Sequence, residues 1–178
     1  VLSRYVGWGG LSDAFDEEKR DWTMQYQELK AALTPEEYTS ARESTLNAHY
    51  TSPEIIDGIY EGLRRMGFNK GNVLEPSMGI GNFFGMMPQD MARSRLYGVE
   101  LDSLTGRIAK QLYPDARIQI NGFEDTDYPN DFFDVAIGNV PFGDYKVFDP
   151  KYNKYNFRIH DYFIAKALDQ VRPGGIVA

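Results

Sequence analysis

The spacing of apolar and polar residues changes character part-way along the chain. From about residue 11 to 48 the segment is charged, with helical spacing and few turn signals. Thr34-Pro35-Glu36-Glu37 reads as a helix start, with a capping threonine, proline at the first helical position and acids in the first turn. Ser52-Pro53-Glu54 repeats that signature. The helix it opens places Ile55, Ile56, Ile59, Tyr60 and Leu63 on one face and ends near Gly67.

From Gly71 the pattern alternates. Asn72-Val73-Leu74 is a short apolar strand, followed by a glycine-rich turn and a helix. Arg95 to Val99 is a second strand, leading to a helix from Ser103 to about Leu112. Ala116 to Ile120 and Phe133 to Gly138 form the third and fourth strands. A helix from about Asp161 to Val171 then leads through Pro173-Gly174-Gly175 to a fifth strand at Ile176-Val177-Ala178. This alternation specifies a parallel α/β sheet covered by helices on both faces. It divides the chain into a helical N-terminal extension at 1–48 and an α/β core at 49–178. Ligands in such sheets bind outside the carboxyl ends of the strands.

Composition narrows the classes. A chain of 178 residues, 42% hydrophobic and 25% charged, is one globular domain's worth. Its apolar runs are too short to span a bilayer, and no secretory signal opens it. Cysteine is absent, which excludes a disulfide scaffold, a thiolate zinc site and a cysteine nucleophile and fits a cytoplasmic protein. The two histidines, His49 and His160, exclude a histidine-rich metal site, so no metal is expected. A net charge of −7 sits awkwardly with nucleic acid, because phosphate binding needs a basic face. The chain opens on Val1 and stops three residues into an expected strand, so both ends read as boundaries within a larger protein.

Candidate chemistry clusters at strand ends. After the first strand comes Glu75-Pro76-Ser77-Met78-Gly79-Ile80-Gly81-Asn82-Phe83, where glycines permit close backbone approach to a ligand. Taken alone, this is equally an ordinary tight turn. The second strand ends in Glu100-Leu101-Asp102, and an acid there can accept both hydroxyls of a ribose. The turn lacks the G-x-G-x-x-G spacing, because the third glycine falls at Gly85, which disfavours NAD. Past the third strand, Phe123 and Glu124 can sandwich an adenine and accept from its amino group, or simply form a loop with a packed phenylalanine.

The fourth strand runs into Asn139-Val140-Pro141-Phe142. Here the chain resembles the amino-group DNA methyltransferases of the N6-adenine type, whose fourth strand ends in Asn/Asp-Pro-Pro-Tyr/Phe. The resemblance covers most of residues 48 to 178. The family's cofactor loop is similar to Glu75–Phe83, its ribose acid to Glu100, and its upstream Thr-Pro element to Tyr50-Thr51-Ser52-Pro53. More narrowly, the chain resembles the methylase module of large helicase–methylase proteins of bacterial mobile elements, including the opening Tyr5-Val6-Gly7-Trp8-Gly9-Gly10. The resemblance implies a Rossmann-like S-adenosylmethionine-dependent methyltransferase fold, here cut short in its C-terminal strands. It also implies S-adenosylmethionine as cofactor and DNA as a partner engaged through a longer parent protein.

On that reading the Asn139 side-chain oxygen and the Val140 carbonyl accept from an exocyclic amine and favour a tetrahedral nitrogen. Phe142 stacks on a base turned out of the duplex. The chain departs from the family at Val140, which keeps a carbonyl but loses proline's rigidity, at Ser52 in place of threonine, and at Gly122, near an adenine-contacting aspartate of many relatives. Tyr145, Lys146, Lys151, Lys154 and Arg158 form a basic–aromatic tract suited to phosphates and bases, or a solvated loop with inward-packed rings. His49, His160, Trp8 and Met78, Met86 and Met87 read as packing residues. The same site suits RNA adenine, cytosine N4 or a protein glutamine amide, and a degenerate cofactor-binding module is a further alternative. An incomplete sheet edge implies self-association.

Overall fold

A computed structural model describes Ser3, Tyr5, residues 7–45 and residues 50–178. Val6 of the opening motif, His49 and the expected junction at residue 48 lie outside the described residues.

Five strands form one sheet: β1 (Asn72–Glu75), β2 (Arg95–Glu100), β3 (Arg117–Ile120), β4 (Phe133–Ala136) and β5 (Val171–Val177). All neighbouring pairs are parallel, in the order β3-β2-β1-β4-β5. The order reverses direction at β1, so the crevice between the ends of β1 and β4 is the topological switch point where ligands bind in such sheets.

The described residues form six α-helices: α1 (Thr23–Ala32), α2 (Pro35–Ser44), α3 (Pro53–Arg65), α4 (Asn82–Gly85), α5 (Ser103–Leu112) and α6 (Ile159–Gln170). Successive strand residues point to opposite faces, and the two cores divide accordingly. Val73 and Val135 pack with Ile56, Tyr60 and Leu63 of α3. Leu74 and Ala136 pack with Tyr162, Phe163 and Ala167 of α6. Ala109 of α5 joins Ile118, Met78 and Phe84 in a third cluster.

The N-terminal helices have their own small core, in which Trp8, Trp22, Leu29 and Tyr38 close over Phe15 and Ala41. Trp8 meets Phe15 edge-on at 5.5 Å and packs in this core, although the glycines beside it would also allow a ring to stack on a ligand. α2 begins with a full capping box, Thr34 and Glu37 each bonding the other's main-chain amide. It is joined to the α/β layer at the start of α5. There the buried Asp102 carboxylate accepts from the Thr105 amide at 3.0 Å and from Ser40 Oγ at 3.0 Å.

Three local expectations change. Ile55 points outward at 57% exposure, while Ile56, Tyr60 and Leu63, with Ile59 at their margin, fall within the arc that faces the sheet. The helix after the glycine turn is a single turn long, halted before Pro88, so it contributes little helix dipole to the site. β5 starts at Val171, not after Gly175. Its partners shift from Phe133↔Val171 to Val135↔Ile176, so Pro173-Gly174-Gly175 form an irregularity inside the strand rather than a turn before it. Proline is tolerated there because β5 is an edge strand with a bulge.

Candidate functional site

The carboxyl ends of β1, β2, β3 and β4 open into one cleft of about 170 Å³. Its floor is the turn after β1. The Gly79 amide donates to Glu100 Oε2 at 2.8 Å, and the Asp102 amide donates to Oε1 at 2.7 Å. The Met78 amide donates to the Val99 carbonyl at 2.9 Å, so the turn lies along the end of β2. Gly79 adopts φ 56° and Gly81 φ 83°, a region that favours glycine. A β-carbon on Gly81 would stand 2.6 Å from the Tyr113 ring, whose hydroxyl donates to the Gly81 carbonyl at 2.7 Å.

Four acidic residues, Glu75, Glu100, Asp102 and Glu124, line the cleft, and burial perturbs the first two. Burial pushes Glu100 up to about 7, against the main-chain amides of Asp102 and Gly79, which favour its ionised form. Glu75 is fully buried at the end of β1. Burial, then the nearby Glu100 charge, raises its carboxyl well above the ordinary range. Its Oε2 atom has no hydrogen-bonding partner. A buried acceptor without a donor is costly, on the order of 1–3 kcal/mol.

The acceptor side joins this floor directly. Ser77 Oγ donates to the Asn139 main-chain carbonyl at 2.7 Å. Of the expected cofactor residues, Tyr50, Thr51, Glu75, Pro76, Ser77, Gly79, Asn82, Phe83, Glu100, Leu101, Phe123 and Glu124 line the cleft, together with Asn139, Pro141 and Tyr145. Gly122 is buried beneath Glu124, whose carboxyl carbon lies 2.4 Å from where a β-carbon at 122 would stand. Glu124 therefore fills the space that a side chain at 122 would need.

Other expected residues fall elsewhere. Ser52 and Pro53 are exposed at the start of α3, outside the cleft, because their role is to open the helix. Gly81 lies buried in the turn and shapes it without lining the cleft. Val140 packs its side chain against the α6-side core. Phe142 is 58% exposed and stacks on His160 with ring centres 6.0 Å apart, so its ring faces away from the cleft lining.

The basic tract is largely satisfied internally. Lys146 Nζ donates to Asn156 Oδ1 at 2.6 Å, Lys151 pairs with Asp169 at 3.2 Å, Arg158 pairs with Asp144 at 3.3 Å, and Lys154 lies over the Tyr155 ring. None of these four cations lines the cleft.

The cleft also includes Ser44, Asp102, Thr105, Asn121, Val147, Ile159 and Phe163, which the motif reading left out. Asp102 had a signal, since an acid just before a helix is a capping residue. Ser44, brought in from α2, had none in the local sequence.

A parallel sheet of this order, helices on both faces and a cleft at the carboxyl edge beside an acid ending β2 make this the Rossmann-like class I S-adenosylmethionine-dependent methyltransferase fold. A Listeria monocytogenes chain assigned to that class superposes with a TM-score of 0.60 at 18% identity, over 91% of this chain and 59% of that one. Geranyl diphosphate methyltransferase, solved with GPP and sinefungin, superposes at 0.52 with 16% identity, over 83% of this chain and 50% of that one. At such identities the likeness is one of fold.

In sequence, the chain is 34% identical over 138 residues to Defense against restriction protein B of Escherichia phage P1. The match takes in 75% of this chain but only 6% of that protein. No protein-family model matches the chain. Among the described residues no helix is long and apolar enough to cross a membrane.

Proposed function

We propose that this chain binds S-adenosylmethionine at the carboxyl edge of its sheet and directs methyl transfer to an exocyclic amino group, with adenine N6 of DNA as the acceptor. The observation that carries the reading is the hydrogen bond from Ser77 to the Asn139 carbonyl. It seats the Asn139-Val140-Pro141-Phe142 segment on the same turn that holds Glu100.

The residues present suit this cofactor. Glu100 offers carboxylate oxygens at the end of β2, the position where an acid accepts from ribose hydroxyls. Phe123 and Glu124 line the cleft past β3, and this reading gives them the adenine and its amino group. The unpartnered Glu75 Oε2 supplies an acceptor for a cationic group of the ligand. When bound, the cofactor supplies a methyl group on a sulfonium, a leaving group that needs no further activation.

The chain's contribution is alignment and acceptance. With the methyl donor bound, the acceptor amine would gain the methyl group and give up one proton to solvent, and Asn139 and Val140 would align that amine. Acceptors at the Asn139 side chain and Val140 carbonyl draw on the amine hydrogens and so favour the nitrogen's lone pair. Phe142 must turn from His160 to cover a base.

DNA is favoured over RNA or protein by the sequence likeness to a phage protein whose name refers to restriction. Because the chain spans so little of that protein, helicase or other partners belong to a longer polypeptide only as part of this proposal. Isothermal titration with S-adenosylmethionine and with NAD tests the cofactor. Radiolabelled methyl transfer to DNA, RNA and protein pools tests the acceptor, and label in RNA or protein alone would overturn the assignment to DNA.

A further inference from the structure

Lys166 lies in the middle of α6, on the buried side that includes Phe163 and Ala167. Its ammonium donates to the carbonyls of Phe123 at 2.7 Å, Glu124 at 3.2 Å and Thr126 at 3.3 Å, and to Asp149 Oδ2 at 3.1 Å. The three carbonyls belong to the turn after β3 that walls the cleft with Phe123 and Glu124. Asp149 belongs to the loop that runs from Asn139 to α6.

Asp149 is itself held from several sides. The Tyr162 hydroxyl donates to Oδ2 at 2.7 Å and the Lys151 amide to Oδ1 at 3.0 Å. Burial pushes the carboxyl up, but the hydrogen bonds from Tyr162 and Lys166 outweigh it and keep Asp149 below the usual carboxylate range.

A buried ion pair is a poor device for stability, since apolar residues of similar volume are often as stable or more so. What apolar residues cannot do is hold three carbonyls and a carboxylate at one point. Three ammonium hydrogens serve four acceptors here. Displacing the turn at 123–126 strips the ammonium of three of its four acceptors, and displacing Asp149 leaves a buried cation without its counter-charge, so the two loops hold one another in place.

We propose that Lys166 and Asp149 are positioning residues that couple the cofactor's adenine wall to the acceptor loop, so that a ligand ordering residues 121–126 also orders residues 149–153. This rests on the cofactor reading above. Residues 149–153 do not line the cleft, so any response there to a cofactor-site ligand is transmitted.

Hydrogen exchange read by mass spectrometry, on the chain with and without S-adenosylhomocysteine, tests the coupling. At one hundred times the dissociation constant, exchange that requires the site to open slows by up to about 100-fold. The unmodified chain is expected to slow at both 121–126 and 149–153. Lys166→Met is expected to lose the slowing at 149–153 while keeping it at 75–83. Asp149→Ala, which removes the acceptor but leaves the ammonium on its three carbonyls, is expected to do the same and serves if Lys166→Met does not fold.

A merely structural pair would lower protection in the free variants yet preserve the ligand-induced slowing at 149–153, and that result would overturn the coupling. So would slowing at 75–83 and 121–126 without any at 149–153 in the unmodified chain. No slowing anywhere, together with no heat of binding, would instead sink the cofactor reading and the coupling with it.

Discussion

The Gly79 amide points at Glu100 Oε2 from 2.8 Å, so the acid ending β2 is tethered to the turn that follows β1. The two segments are paired strands' ends, and this bond makes one surface of them. Glu100→Ala is expected to weaken S-adenosylmethionine binding by about 1.5–3 kcal/mol, the worth of hydrogen bonds to a charged group. Calorimetric titration measures it. An unchanged dissociation constant would remove Glu100 from the site.

The same carboxyl makes binding depend on pH. Glu100 is raised from 4.5 to about 7 in the folded chain, first by burial. Ribose hydroxyls donate to its charged form, so cofactor affinity should rise as pH passes upward through about 7. Stability of the free chain should run the other way. A folded-state pKa above the unfolded one contributes stability that is complete below 4.5 and lost as pH rises through about 7. Thermal melts and titrations across that window check both signs, and Glu100→Gln should flatten each curve. An affinity that falls with pH would contradict the role given to Glu100.

Asn139 is expected to separate chemistry from capture. Its main-chain carbonyl, not its side chain, receives the Ser77 hydroxyl. Asn139→Ala should therefore leave the turn and cofactor affinity nearly intact while abolishing methyl transfer. Parallel titration and radiolabel assays decide it. Equal loss of both would make Asn139 a residue that holds the cofactor or the fold.

How much of this was legible beforehand follows from where each signal resides. The strands and α5 could be read because their apolar runs and caps are local. Glu75 and Glu100 could be placed because each ends a strand, and Asn139 because it follows β4 by three residues, since strand ends share an edge in a parallel sheet. Lys166 could not: a lysine on a helix reads as solvated, and its burial depends on acceptors 17 to 43 residues away in sequence. The internal pairing of the basic tract was hidden for a related reason, since Asp169, which pairs with Lys151, lies on another element. Pro173-Gly174-Gly175 has the composition of a turn. Only the bulged pairing with β4 makes it strand.

Gly81 offers a stability test of the cofactor turn. At φ 83°, with the Tyr113 ring 2.6 Å from a built β-carbon, Gly81→Ala meets both backbone strain and a clash. Strain of this kind costs on the order of 1–3 kcal/mol. Gly67→Ala is the control, at φ 87° but with open space around it. Thermal unfolding should show the larger loss at Gly81. Equal losses would mean that the Tyr113 ring yields freely.

The last prediction concerns the exposed side of β5. Among the described residues β5 has a strand on one side only, so its outer backbone groups are open to another strand. The bulge at Pro173–Gly175 blunts the first half of that edge, which leaves residues 176–178 as the part able to pair. Nearby, α6 exposes Ile164 at 44% and Leu168 at 58%, one helical turn apart on the same face. An open edge beside apolar side chains favours self-association, and Ile164→Lys with Leu168→Lys should reduce it. Duplex DNA should bind weakly, because the net charge is −7 and the cations of residues 145–158 are mostly engaged by Asn156, Asp169 and Asp144. Sedimentation over a concentration series, with DNA titration at low and moderate salt, tests both claims. A monomer that holds DNA tightly at moderate salt would show that the internal ion pairs open for phosphate and that the edge is already protected.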